Sequence, residues 1–278
     1  MHRRARLATA FLLAAMVAAG VANAQRRRGF GGGFGYRGVA PKMMSAEDYN
    51  GAFLFCRIVF RRDPNGDGGD WGVDYPRADI NLTFRLSELT KTPVTREEHD
   101  GYNHVVIRLT DPLLYKCPFI MMTEVGSAYF DEQEAAALHD YALKGGFLWA
   151  DDFWGEYAFR WWAAEIGKAF PPEQYPIVDV PLEHQLFHIL YDIKHIPQIP
   201  SINFWAGGRG TSERGSDSAV PHVRGILDEN GRIMVLMTHN TDFGDAFERE
   251  GDDHQYFLTF APDGYAFGVN AILYSMTH

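Results

Sequence analysis

The stretch from Phe119 to Asp152 constrains the fold more than any other. Phe119-Ile120-Met121-Met122-Thr123 is a short unbroken apolar run, the pattern of a strand buried on both faces. Asp131 stands three residues before Glu134, the spacing of a helix N-cap and its box partner. Ala135, Leu138, Tyr141 and Ala142 then recur at helical spacing, and Gly145-Gly146 supplies a stop. Phe147-Leu148-Trp149-Ala150 reads as a second buried strand. Strand, helix and strand in so few residues require a parallel pair joined by a right-handed crossover.

Similar units flank this one. Phe53 to Phe60 and Val105 to Leu109 read as strands, and Asp79 is placed to cap a helix carrying Leu82, Leu86 and Leu89. Tyr157 to Phe170 is an aromatic-rich helix ended by Pro171-Pro172. Ile177 to Val180 reads as a strand and His184 to Leu190 as a short helix. Ile226 to Met237 reads as a hairpin turning at Asn230-Gly231. Tyr256 to Met276 is expected as two helical pieces broken near Pro262-Asp263-Gly264. The alternation predicts an α/β fold, an open and mostly parallel sheet with helices on both faces.

The N-terminus predicts export. Arg3, Arg4 and Arg6 precede an apolar run from Leu7 to Val21, and Ala22-Asn23-Ala24 offers a small-x-small cleavage signal. The run is about fifteen residues, short of the roughly 20 that span a bilayer. Residues 1–24 are therefore expected as a cleaved signal peptide, residues 25–45 as a flexible Arg/Gly-rich arm, and residues 46–278 as one domain. The expected compartment is the periplasm or the medium, with nothing spanning the membrane after cleavage. Nucleotide cofactors are not expected there.

The formal charge of −10 loses three arginines with the leader, leaving about −13. Such a chain has no general attraction for nucleic acid. Arg26-Arg27-Arg28 is the local exception, a tether or a contact for an acidic envelope partner. Cys56 and Cys117 each lie in or beside an apolar run, and the reading favours two unpaired buried thiols.

In open parallel sheets ligands bind beyond the carboxyl ends of the strands. That rule selects Glu124, then Asp151 and Asp152, then His239, Asn240, Asp242 and Asp245. Adjacent residues on a strand point to opposite sides, so only one of Asp151 and Asp152 is expected in the crevice. Paired with Glu124 it could do acid-base work or hold a hard cation through oxygen; the structural alternative is capping the next helix. The His239 cluster can donate, accept and bind metal, or simply make a turn. Trp71, Asp74, Tyr75 and Arg77 combine aromatic rings with a guanidinium, suited to sugar or peptide recognition. The alternative is a loop pinned by packing, with Arg77 paired to an acid. Arg61 and Arg62 are placed for an anion or for the surface. His184 and His188 have one-face helical spacing, but the internal Glu of a zinc helix is missing. The Gly/Ser/Arg stretch from Ala206 to Pro221 is either a lid or a disordered surface loop.

Four stretches carry a family resemblance: Trp71-Gly72-Val73-Asp74-Tyr75-Pro76-Arg77-Ala78-Asp79, Leu109-Thr110-Asp111-Pro112-Leu113-Leu114-Tyr115, Gly145 to Asp152, and Gly268-Val269-Asn270. Together they resemble the bacterial DUF4159 family, a domain of unknown function, from about Phe53 to His278. The resemblance implies a flavodoxin-like sheet similar to class I glutamine amidotransferases. Those enzymes carry a nucleophilic Cys on the turn after a strand. The matching turn here reads Asp151-Asp152-Phe153-Trp154-Gly155, with neither Cys nor Ser, so glutaminase chemistry is not implied.

Two functions follow as expectations. One is a non-catalytic periplasmic ligand-binding or envelope-assembly domain that meets a small polar ligand, or an envelope protein or polymer. The other is a hydrolase of envelope glycans or related polar substrates, using Asp151 or Asp152 with His239. No cofactor is expected beyond a divalent cation.

Overall fold

A computed structural model describes residues 40–97 and 101–278. The expected signal peptide lies outside the described residues, as does the arm up to residue 39. Residues 42–44, placed in the arm by composition, run beside the sheet. Met44 N and Val106 N bond to Val106 O and Lys42 O.

Among the described residues, nine strands form two sheets. The main one has seven, in the order β3 (His104–Ile107), β1 (Phe55–Ile58), β4 (Phe119–Thr123), β6 (Phe147–Phe153), β9 (Ile233–His239), β8 (His222–Leu227) and β7 (Val178–Asp179). The first five run parallel, and the last two add antiparallel pairs at one edge. Numbered by their order in the chain, the parallel strands stand as second, first, third, fourth and fifth, the flavodoxin-like arrangement. β2 (Arg61–Arg62) pairs with β5 (Ala128–Tyr129) in a separate ribbon.

Alternation along each strand divides the core. Cys56, Ile58, Ile120, Met122, Leu148, Ala150, Val235 and Met237 face α2 (Glu132–Leu143) and α3 (Gly155–Ala169). Phe55, Phe119, Met121, Phe147, Trp149 and Leu236 face α1 (Arg77–Leu89), α5 (Phe243–Glu248) and α6 (His254–Thr277). Both faces are covered, so β4, β6 and β9 are buried along their whole length, as unbroken apolar runs require. The capping box of α2 forms as read, with Asp131 accepting from Gln133 N and Glu134 N.

Three local expectations are corrected. Cys56 and Cys117 are not free thiols; they form a disulfide with Cα atoms 6.1 Å apart. The bond depends on β1 lying next to β4, with Cys56 paired to Ile120, and strand adjacency is not written in sequence spacing. The C-terminal segment is not broken at Pro262. It is one helix of 24 residues. Pro262 and Asp263 lie on its exposed side, where the carbonyl that loses its donor can turn to water. Gly264 and Gly268 allow close packing on the other side. A Cβ there would stand 2.9 Å from Ala246 and 2.9 Å from Leu82 and Phe247. Tertiary packing has outweighed a local breaker. Asp79 does not cap α1, which starts at Arg77; its carboxylate takes the buried Arg57 instead.

Among the described residues no helix is long and apolar enough to cross a membrane. A short helix α4 (Ile202–Ala206) opens the long stretch over the carboxyl ends of the strands.

Candidate functional site

The carboxyl ends of four parallel strands deliver a set of acids. Asp74 comes from the connection between β1 and α1, Glu124 follows β4, Asp151 and Asp152 end β6, and Asp242 and Asp245 follow β9. The gap between β1 and β4 is the topological switch point of this sheet, where such folds open a crevice.

Backbone conformation marks the same places. The non-glycine residues with positive φ among the described residues are Asp74 (64°), Glu124 (55°), Asp152 (56°) and Asn240 (62°). Asp and Asn tolerate this region better than most residues, yet held left-handed positions cluster at functional sites. At Asp152 the conformation belongs to an irregularity in the β6–β9 register between Ala150 and Phe153. Strict alternation stops there. Asp151 and Asp152 are both buried, and of the two it is Asp152 whose carboxylate joins the grouping with Asp74 and Asp242.

The two aspartates are used differently. Asp151 accepts from the Thr238 hydroxyl and from Gly244 N at 3.0 Å. Burial still pushes its carboxyl up to about 7, against those bonds. Asp152 accepts from the Trp154 indole at 2.9 Å. Burial first, and then the charges of Glu124 and Asp74, hold its carboxyl well above the usual range. Asp242 caps α5 by accepting from Asp245 N at 2.7 Å. It too is raised well above normal, by burial and by Asp152 and Asp74. Neither Asp151 nor Asp152 caps α3, whose N-cap Trp154 makes no side-chain cap bond.

Asp74 is the centre of the set. Its oxygens approach those of Asp152 and Asp242, all within 4.8 Å of one another, and in a second grouping those of Asp245 and Glu248. The side chain is 2% exposed. Its Oδ2 has no hydrogen-bond partner. Burial, Asp245 and Glu248 raise its pKa strongly while Arg57 opposes them. Gly244 is required for this approach, since a Cβ there would fall 2.2 Å from Asp74 Oδ2. Asp245 and Glu248 differ from the central three in having a cation: Arg249 reaches them at 3.0 and 2.8 Å.

Glu124 borders the set and is only partly buried. Desolvation raises its carboxyl to about 7, opposed by a bond from the Gly69 backbone. Glu213 and Arg214 come in from the long stretch above, where Arg214 pairs with Asp67 at 3.0 Å. The stretch is held by further bonds, from Thr211 to Gln198 and from Glu156 N to Asp217.

His239 does not join the carboxylates. Its Nε2 donates to Gly155 O at 3.0 Å, and Nδ1 accepts from Arg224 at 3.2 Å. The ring stacks on Phe153 and His222. Desolvation drives its pKa down to about 4. Asn240 is also spent on structure, accepting from Gly155 N and donating to Val220 O, each at 2.8 Å.

The aromatic loop is packed. Tyr75 is buried, meets Trp71 and His104 edge-on, and accepts from Lys42 N. Arg77 pairs with Asp252 at 3.1 Å. Arg61 binds Asp131 and Glu134 and lies over Tyr129. His184 and His188 flank a single 3-10 turn, not a helix face. His184 accepts from Leu186 N, and His188 meets Asp192 and Leu182 O.

Glu213 and Glu248 were not singled out from sequence. The spacing of Asp242, Asp245 and Glu248, three residues apart on a helix, was the available signal.

No curated protein matches the chain. A family model described as a domain of unknown function, DUF4159, matches residues 58–276, and the chain belongs to that family.

Proposed function

We propose that the chain is an exported, non-catalytic binding domain that takes a small polar ligand, cationic at the end that enters, among the carboxylates of the switch-point crevice. The observation that carries this reading is the gathering of acids from four strand ends while His239 is committed elsewhere. A carboxylate–His hydrolase needs both groups within reach of one reacting atom. Both His239 nitrogens are engaged, and with its pKa pushed down to about 4 the ring is neutral near neutrality, its one N–H given to Gly155 O. On an amidotransferase-like reading of the fold, Asp152, in the irregular last residues of β6, would stand where those enzymes carry a Cys nucleophile. Export is supported by the leader pattern and by the Cys56–Cys117 bond, which persists in oxidising compartments.

The test has two parts. In a bacterial host, mass spectrometry of the periplasmic fraction should find a chain beginning at Gln25. A full-length chain confined to the cytosol would remove export. Purified protein should not hydrolyse peptidoglycan fragments, and should take up spermidine in calorimetry, with binding weakened by Asp152→Asn. Turnover abolished by Asp152→Asn and His239→Ala would instead establish the hydrolase.

A further inference from the structure

We propose that Asp74, Asp152 and Asp242 hold a hard divalent cation, calcium in preference to magnesium. This deepens the reading of the crevice as a binding site and rests on it for the site's identity.

The first support is an unmet need. Asp74 Oδ2 is buried without a partner. A buried carboxylate oxygen left bare is costly, and buried charges are normally paired or coordinate metals. The recorded donors at the other two acids, Trp154 Nε1 and Asp245 N, each reach one oxygen, Oδ1.

The second support is charge. Two guanidinium groups stand near, and both are occupied. Arg57 gives its donors to Asp79 and to the carbonyls of Trp71 and Val73. Arg249 is shared by Asp245, Glu248 and Asp252. Neither guanidinium forms an ion pair with Asp74, Asp152 or Asp242. The second acid grouping, which also uses Asp74, has Arg249 as its counter-charge. That directs a cation to the first grouping.

The third support is donor type and span. Three carboxylates offer only oxygen, the choice of hard cations over zinc or copper. Two oxygens on one ion stand apart by at most twice the metal–oxygen distance. For calcium that limit is about 5 Å. One oxygen from each of the three aspartates lies within 4.8 Å of the other two. Magnesium retains several waters, and side chains 2% to 5% exposed leave them little room. The remaining calcium ligands would be carbonyls or a few waters.

The competing arrangement is a set of carboxyls that keep their protons and bind no metal. Calorimetry and thermal unfolding separate the two. Purified protein is stripped with EDTA, then titrated with calcium, magnesium or spermidine at neutral pH. Calcium should bind at one site, raise the midpoint of unfolding, and bind at least about tenfold tighter than magnesium. Asp74→Asn and Asp242→Asn should each weaken calcium at least about tenfold, the scale on which disturbed metal sites lose affinity. Asn retains N-cap ability at position 242, so that variant tests ligation with α5 still capped. Asp179→Asn, exposed on β7 and outside the carboxylate grouping, should bind as wild type does. No heat and no shift with calcium or magnesium overturns the cation site. In that case, binding of spermidine leaves the polar-ligand reading standing, and its absence removes both. Calcium binding together with hydrolytic turnover sustains the cation site and overturns the non-catalytic reading. Unchanged calcium affinity in both Asn variants places the ion elsewhere and overturns the assignment.

Discussion

Arg57 with Asp79, and Asp74 with Asp152 and Asp242, bury charge in the same half of the molecule under different terms. In the first region the guanidinium donates to both carboxylate oxygens, and both side chains are fully buried. In the second, three carboxylates converge with no guanidinium or ammonium ion-pair partner among the described residues. A strand residue and a helix residue meet in the first, so register brings acid and base together. Three strand ends meet in the second, and each brings an acid. Folding alone completes the first region. On the proposed reading, a bound cation completes the second.

The comparison can be broken from either side. Arg57→Ala should cost the most, about 3–5 kcal/mol in urea unfolding, because it strands a buried Asp79. Replacing both partners, Arg57→Met with Asp79→Leu, should recover most of that loss. A double variant as unstable as the single would show that Arg57 matters through its carbonyl contacts instead.

The acidic region should respond to pH. Asp151 and Glu124 titrate at about 7 in the folded chain, above their unfolded values near 4. Between about pH 4 and pH 7 the unfolded state sheds protons that the folded state keeps, so these groups make stability fall as pH rises. Above about 7 their effect levels off. Each unit of separation is worth about 1.4 kcal/mol. His239 works in the opposite direction: depressed to about 4, it makes stability fall as pH drops from about 6.5 to 4. Urea midpoints across this range should fall less steeply with rising pH in Asp151→Asn and more steeply in His239→Gln.

Smaller effects follow. In EDTA, Asp74→Asn should stabilise the protein by about 1–3 kcal/mol, since it removes a buried unpaired charge; a loss of stability would argue that the carboxylate is already satisfied. Gly244→Ala should destabilise by about 1–3 kcal/mol through overpacking against Asp74. Gly251→Ala, with no neighbour within 4 Å, should change little. Arg214→Ala removes a half-exposed ion pair with Asp67 and should cost less than about 1 kcal/mol.

Much of the sheet was legible. Phe119–Thr123, the Asp131–Glu134 box and the strand from Phe147 are local patterns, and the structure keeps them. The strand-end rule also picked Glu124, Asp151, Asp152, Asp242 and Asp245. It missed how they are shared. Asp74 was grouped with the aromatic side chains around it in sequence, yet its carboxylate belongs with acids far along the chain. His239 was grouped with its acidic neighbours, yet its ring turns to Arg224 and Gly155. A proline argued for a break in the last helix, and packing through Gly264 and Gly268 outweighed it.

The sequence by itself determined the alternation of buried strands and helices, and hence the α/β class and the end of the sheet where acids collect. Those signals are periodic and local, so a few neighbouring residues carry them. Only the tertiary structure decided that Cys56 meets Cys117, that Arg57 neutralises Asp79, and that Asp74, Asp152 and Asp242 are left to one another. Each of those outcomes depends on which strands and loops become neighbours. That is set by the packing of both sheet faces at once, and no short stretch of residues records it.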